Sequence, residues 1–209
     1  MVNVACVLRS GGVYDAEWAR KLRDGVERHL TLPHRFLCLS DVEVPCERIP
    51  LEHNWPGWWS KIELFNGKLP TPCLYLDLDT IITGSLDELF KCPYDFAMLR
   101  NFNNPEMVGS GVMWFNKVPT KVYEKFIKQP EAYIAHHKRV ENGSYCGDQA
   151  FVWDALGRKV DLITDSFNNI KSYKRHCRKA LPKDTSIVCF HGHPRPCSVS
   201  DEWVKENWT

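Results

Sequence analysis

The sequence predicts an α/β fold: a mixed, mainly parallel central sheet flanked by helices. Short apolar runs recur along the chain and break abruptly into Gly, Ser or Asp, as buried strands do. Between the first two runs lies a segment whose apolar residues return at helical spacing. That early alternation implies right-handed crossovers and parallel neighbours, whereas the later strands are joined less regularly, which mixes the sheet.

Residues 4–8 read as a buried strand leaving into the tight loop Arg9-Ser10-Gly11-Gly12. Over 15–30, Ala16, Ala19, Leu22, Val26 and Leu30 keep a helical period. Residues 35–39 form a second strand ahead of Ser40-Asp41, and 46–49 a short third one. A stiff aromatic loop follows at Trp55-Pro56-Gly57-Trp58-Trp59; then Ser60-Lys61-Ile62-Glu63 matches a capping box, so a helix is expected from 60 to about 68. The strand at 72–76 breaks into Asp77-Leu78-Asp79, and 85–90 holds a helical turn or two. Strands at 96–99 and 112–115 flank a polar loop that carries Gly109-Ser110-Gly111. Helical patterns at 120–127 and 148–156 and strands at 160–163 and 187–190 complete the reading. With no repeat, low-complexity linker or composition break, one domain over 1–209 is expected.

The totals narrow the function. Hydrophobic residues at 44% and charged residues at 25% describe a soluble globular chain. Lys and Arg number 27 against 26 Asp and Glu, a formal charge of +1, so the broad basic field that duplex nucleic acid needs is missing. Any anionic ligand must be gripped by a few local cations, backbone amides or a metal. The nine cysteines form no C-x-x-C pair, which disfavours zinc-finger and thioredoxin-like readings. Cys6, Cys73 and Cys189 lie in apolar runs as small core residues, the pattern of reduced thiols in the cytoplasm. The first apolar run is too short for a signal peptide and none is long enough to span a bilayer, so a soluble cytoplasmic protein without membrane insertion is expected.

Three segments carry candidate chemistry. Asp77 and Asp79 stand at the carboxyl end of an apolar strand, where open α/β sheets bind ligands, and their i, i+2 spacing lets both face one cation. Hard oxygen ligands suit Mg²⁺ or Mn²⁺; two aspartates can also simply end a strand and cap the next turn. At Ile187-Val188-Cys189-Phe190-His191-Gly192-His193-Pro194-Arg195, another strand ends in a histidine that can complete the coordination, then a glycine that admits a ligand close to the backbone, then a cation that can grip a diphosphate. The plainer alternative is a core histidine beside a stiff loop. Tyr145-Cys146-Gly147-Asp148-Gln149 opens a helix; a carboxylate beside an amide suits sugar-hydroxyl recognition, although Asp148 can equally serve the helix dipole. Lys61 can neutralise a phosphate, Asp41 can accept the imino hydrogen of uracil, and Tyr14 can stack on the base. Trp55, Trp58 and Trp59 can stack on an acceptor sugar or pack in the core. Gly11-Gly12 is no G-x-G-x-x-G, so an NAD-type site is disfavoured.

In this order the segments resemble GT-A glycosyltransferases, particularly the glycosyltransferase family 8 group of glycogenin and bacterial lipooligosaccharide galactosyltransferases. The resemblance runs through residues 8–14, Asp77-Leu78-Asp79, Gly109-Ser110-Gly111-Val112-Met113-Trp114-Phe115-Asn116, Gly147-Asp148-Gln149 and His191-Gly192-His193-Pro194-Arg195-Pro196-Cys197. Arg195 stands where the family has lysine, Cys197 where it has tryptophan, and Gly109 where asparagine is usual. The compact chain is similar to small single-domain members in bacteria and in chloroviruses; a viral member would work in the host cytoplasm.

The resemblance implies a nucleotide-binding half over about 1–100 and an acceptor and sugar half over about 101–209. It implies Mn²⁺ (or Mg²⁺) held by Asp77, Asp79 and His191, and a UDP-sugar donor bound by Leu8, Arg9, Ser10, Tyr14, Asp41, Lys61, Leu78, Gly192 and Arg195. Asp148 and Gln149 would be the catalytic pair facing the donor sugar, with transfer of a hexose to a glycan or other acceptor hydroxyl, with retention. Two other readings compete. Asp77-Leu78-Asp79-Thr80-Ile81 resembles the D-x-D-x-T of haloacid-dehalogenase-like phosphohydrolases, with Ile81 in the place of Thr and no downstream acidic pair. A non-catalytic nucleotide-sugar-binding module would keep the cleft without turnover.

Overall fold

The computed structural model describes residues 1–138 and 146–209; Tyr145 lies outside them. Strand β1 (Val2–Leu8) is buried on both faces, and its side chains alternate between two cores. Val4, Cys6 and Leu8 face one core, Ala5 and Val7 the other. Such a strand belongs at the middle of a sheet, and β1 lies between β2 (His34–Ser40) and β4 (Cys73–Leu76), parallel to both. The crossover from β1 to β2 is helix α1 (Ala16–His29), which opens where the Asp15 carboxylate accepts the Glu17 N–H at 3.0 Å. Ala19, Leu22 and Val26 face the sheet from one side of α1.

Strand β3 (Glu47–Pro50) continues the parallel run beyond β2. On the other flank β7 (Val108–Phe115) runs antiparallel to β4 and to β6 (Phe96–Arg100), and β8 (Asp161–Leu162) pairs parallel with β6. The order β3-β2-β1-β4-β7-β6-β8 is the mixed, mainly parallel sheet expected, and it draws strands from both ends of the sequence. Helices α2 (Lys121–Phe126), α3 (Pro130–His136) and α4 (Gly147–Ala155) lie along its second half. A second sheet, β5 (Thr80–Ile82), β10 (Ile187–Cys189) and β9 (Ile170–Ser172), has its own apolar cluster of Ile81, Tyr173, Val188, Phe190, Val204 and Trp208. Val204 and Trp208 come from α6 (Glu202–Asn207) and the residue after it. Among the described residues no helix is long and apolar enough to cross a membrane.

Three elements differ from expectation, each for a local reason. The helix expected from Ser60 is a 3₁₀ segment, Gly57–Phe65. The capping box does not form, because Ser60 Oγ donates to Gly57 O at 2.7 Å while the Glu63 carboxylate accepts the Glu52 and His53 amides at 2.7 and 3.0 Å. Gly109-Ser110-Gly111, expected as loop, lies inside β7, where the register with β6 shifts between Met98 and Leu99. The expected strand at 160–163 shortens to β8 and turns into the single-turn helix α5 (Ile163–Ser166).

Phe115, with no exposed surface, sits 5.3 Å from Phe65 and 5.0 Å from Phe96 between ring centroids. Phe115→Ala should cost about 3–5 kcal/mol, read as a lower urea midpoint at unchanged m-value.

Candidate active site

The link Asp77-Leu78-Asp79 is where the chain leaves one sheet and enters the other, between the end of β4 and the start of β5. Leu78 is 5% exposed and anchors the link in the main core, which leaves the two flanking carboxylates to face the cleft. The Asp77 N–H donates to Gly111 O at 2.9 Å, and Thr80 N–H to Asp77 O at 3.1 Å, so backbone bonds hold the turn. A side chain at Gly111 would begin 3.5 Å from Asp77 Oδ2; bare backbone keeps that carboxylate approachable.

The late strand arrives through β-pairing. Strand β10 runs antiparallel to β5 with Cys189 opposite Thr80, and the ladder continues as Phe190 N–H donates to Asp79 O at 3.2 Å. Gly192 N–H then donates to Asp79 Oδ2, also at 3.2 Å. The register thus carries His191 to the acidic link 112 residues upstream of it (191 − 79). His191 itself has φ +40°, in the left-handed region. Its Nε2 lies 2.6 Å from Ser172 Oγ, and its ring stacks on Phe102 at 5.6 Å. Burial, then the nearby Lys174 ammonium, pushes the imidazole down to about 4, so it is neutral near pH 7.

Lys61, from the 3₁₀ segment, sets the electrostatics. Its Nζ is 2.7 Å from Asp77 Oδ1, 3.3 Å from Ser110 Oγ and 3.6 Å from Asp148 Oδ2. Burial alone would lower this ammonium, but Asp148 and Asp77 outweigh it and raise it. Asp79 is pushed up by burial and then by Asp77, despite donors at Gly192 N and Tyr14 Oη, the latter 3.0 Å away. Asp148, in the first turn of α4, is likewise raised by burial, against the pull of Lys61. Among the described residues its Oδ2 is buried and accepts no hydrogen bond, with the Lys61 ammonium 3.6 Å away.

The expected donor-binding residues divide. Arg9, Ser10, Tyr14, Lys61, Leu78, Gly192 and Arg195 line one cleft with Asp77, Asp79, His191, Asp148 and Gln149. Leu8 is fully buried and Asp41 does not line the cleft. Asp41 braces the loop instead: it accepts Ser10 N–H at 2.8 Å and Ser10 Oγ at 2.5 Å and pairs with Arg9. Burial would raise the Asp41 carboxyl, but the Ser10 bonds and Arg9 outweigh it and hold it low. Tyr14 spends its hydroxyl on Asp79 and carries the Arg195 guanidinium 5.4 Å above its ring, so that face is covered by a cation.

Lys174 was not foreseen. It sits in a single wide turn, Tyr173–Cys177, where no motif flags it, yet its Nζ donates to His191 O at 2.9 Å and faces the cleft beside Gly192. The cleft encloses about 1610 Å³, above the ~300–1,000 Å³ of a pocket for one small ligand.

The donor set fits a hard divalent cation in part. Two carboxylates converge, and Asp79 is destabilised as an anion by its partner, a situation that added positive charge relieves. Among the described residues no three His, Cys, Asp or Glu side chains group around one point, since His191 Nε2 is turned to Ser172. Two protein oxygens with room for phosphate oxygens is a Mg²⁺- or Mn²⁺-like arrangement.

No protein-family profile matches the chain, and no curated protein sequence matches it. Solved structures do. The glycosyltransferase GlyE of Streptococcus pneumoniae TIGR4 superposes with TM-score 0.66 at 16% identity, over 99% of this chain and 61% of GlyE. The galactosyltransferase LgtC, solved with donor and acceptor sugar analogs, superposes with TM-score 0.63 at 12% identity, over 100% of this chain and 97% of its own. The bifunctional glycosyltransferase WbbM gives 0.58 at 14% identity, over 93% of this chain and 46% of WbbM. The chain has the GT-A fold expected from its sequence. It spans 61% of the length of GlyE.

Removing the central cation tests the electrostatics: Lys61→Ala leaves buried carboxylates uncompensated and should cost about 3–5 kcal/mol in chemical denaturation, with Lys61→Arg recovering part of the loss.

Proposed function

We propose that this chain is a metal-dependent glycosyltransferase, of the glycosyltransferase family 8 kind, that moves a hexose from a UDP-sugar to an acceptor hydroxyl with retention. The observation that carries the reading is the convergence of Asp77 and Asp79 with the strand end bearing His191 and Gly192, along a cleft rimmed by Arg195, Lys174 and Lys61. A sugar nucleotide has the matching parts: a diphosphate for metal and cations, and a hydroxylated ring for Asp148 and Gln149.

Asp77 and Asp79 would hold Mn²⁺ or Mg²⁺ with His191, whose neutral imidazole suits ligation once Nε2 leaves Ser172. When bound, the ion supplies positive charge to the diphosphate as the glycosidic bond breaks. Arg195, which lines the cleft, would grip the diphosphate with its planar fork. Lys61, locked between Asp77 and Asp148, positions both carboxylates rather than serving as a mobile counter-ion. The Asp148 carboxylate, held by Lys61, would accept a donor-sugar hydroxyl, and the Gln149 amide would support the electron-poor anomeric centre. Arg9 and Ser10, fixed by Asp41, would flank the nucleoside.

Isothermal titration of UDP with and without Mn²⁺ tests the metal site. Tight binding should require the metal, Asp79→Ala should abolish the gain in affinity that the metal gives, and His191→Ala should weaken metal-dependent binding about tenfold or more; binding indifferent to metal and to both variants refutes the site. Release of UDP from a panel of UDP-sugars, reduced at least ~100-fold by Asp79→Ala, separates an enzyme from a binding module.

A further inference from the structure

Of the three tryptophans beside the 3₁₀ segment, two are core. Trp55 is 8% exposed and Trp59 4%; Trp55 stacks on His53, and Trp59 stacks on Phe126 at 5.4 Å. Trp58 is 52% exposed. Among the described residues no aromatic ring packs against it, and it lines the cleft that holds Asp79 and Asp148. Its indole thus presents a flat apolar face to a cleft otherwise lined here by the polar Lys61, Asp79 and Asp148.

Its place is fixed from the other side of the cleft. Gly147 has φ +71°, and a Cβ there would lie 2.9 Å from Trp58 Nε1 and 3.4 Å from its Cδ1 and Cε2. The five-membered part of the indole therefore lies against bare backbone, one residue before Asp148. Its sequence neighbour Gly57 and its packing neighbour Gly147 have no side chains, so neither screens the ring from the cleft.

We propose that Trp58 is the platform on which the acceptor binds, and that the acceptor is a hexopyranoside. The inference builds on the glycosyl-transfer reading for the role of the bound sugar and deepens it by naming the acceptor class. A pyranose has a face of C–H groups that can cover a flat indole and a rim of hydroxyls that needs polar partners; a wide, amphipathic ring surface is what Trp presents at low entropic cost. The cleft volume of about 1610 Å³ leaves space for this second ring beside a sugar nucleotide. With Trp58 touching Gly147 and Asp148 next along the chain, a sugar on the indole would lie beside the donor ring that Asp148 anchors, which is where an attacking hydroxyl must be.

Saturation-transfer NMR of the protein with UDP and Mn²⁺ against methyl galactoside, methyl glucoside, lactose and maltose tests this, with wild type, Trp58→Phe and Trp58→Ala compared. At least one saccharide should bind wild type, bind Trp58→Phe slightly less tightly, and lose about tenfold in affinity with Trp58→Ala while the circular dichroism spectrum stays native. Binding of no saccharide to wild type, or equal binding to wild type and Trp58→Ala, overturns the proposal. Should Trp58→Ala fail to fold, Trp58→Phe and Trp58→Leu decide: similar affinities in these two remove the aromatic platform. UDP release from donor alone by wild type is read in parallel. Its absence alongside Trp58-dependent saccharide binding refutes the transferase reading and leaves the sugar platform standing.

Discussion

The whole site depends on one short antiparallel ladder, β5 against β10. Opposing Cys189 to Thr80 forces Phe190 next to Asp79 and brings the Gly192 amide onto its carboxylate. Because strand side chains alternate faces, a one-residue slip would reverse which residues of both strands look into the cleft. The register is secured by apolar burial on the far side, where Ile81 and Val188 are 1% and 0% exposed within the small third cluster. Packing of that cluster, including a tryptophan next to the C-terminus, is therefore coupled to placement of the acidic pair through three strand residues on each side.

Electrostatics then decide what this placement can do. Three buried or half-buried carboxylates, Asp77, Asp79 and Asp148, gather around one ammonium, Lys61. Lys61 contacts Asp77 and Asp148 directly, while Asp79 relies on neutral donors from Tyr14 and Gly192. The surplus of negative charge falls on one cleft, whose lining also carries Arg9, paired with Asp41, and Arg195, seated over the Tyr14 ring.

Much of this was legible in the sequence because it rests on strand ends. The apolar run before Asp77, the run before His191 and the glycine-aspartate step at the start of α4 are local patterns that one chain displays without partners. What escaped depended on contacts across the fold. Ser60 and Glu63 have the right spacing for a capping box, yet Glu63 is drawn to the amides of Glu52 and His53, which no local pattern anticipates. Gly109 and Gly111 look like loop residues, while both are strand residues of β7, and Gly111 leaves bare backbone beside Asp77. Asp41, read as a base contact, is consumed in fixing Arg9 and Ser10, and Lys174 reaches the cleft only because strand β9 precedes it in the second sheet.

Gly147 ties two selectivities together. It is at once the floor under the exposed indole of Trp58 and the backbone step that aims Asp148. A side chain there would begin 2.9 Å from the indole Nε1 on a backbone at φ +71°, so the ring and the start of α4 could not change independently through that position.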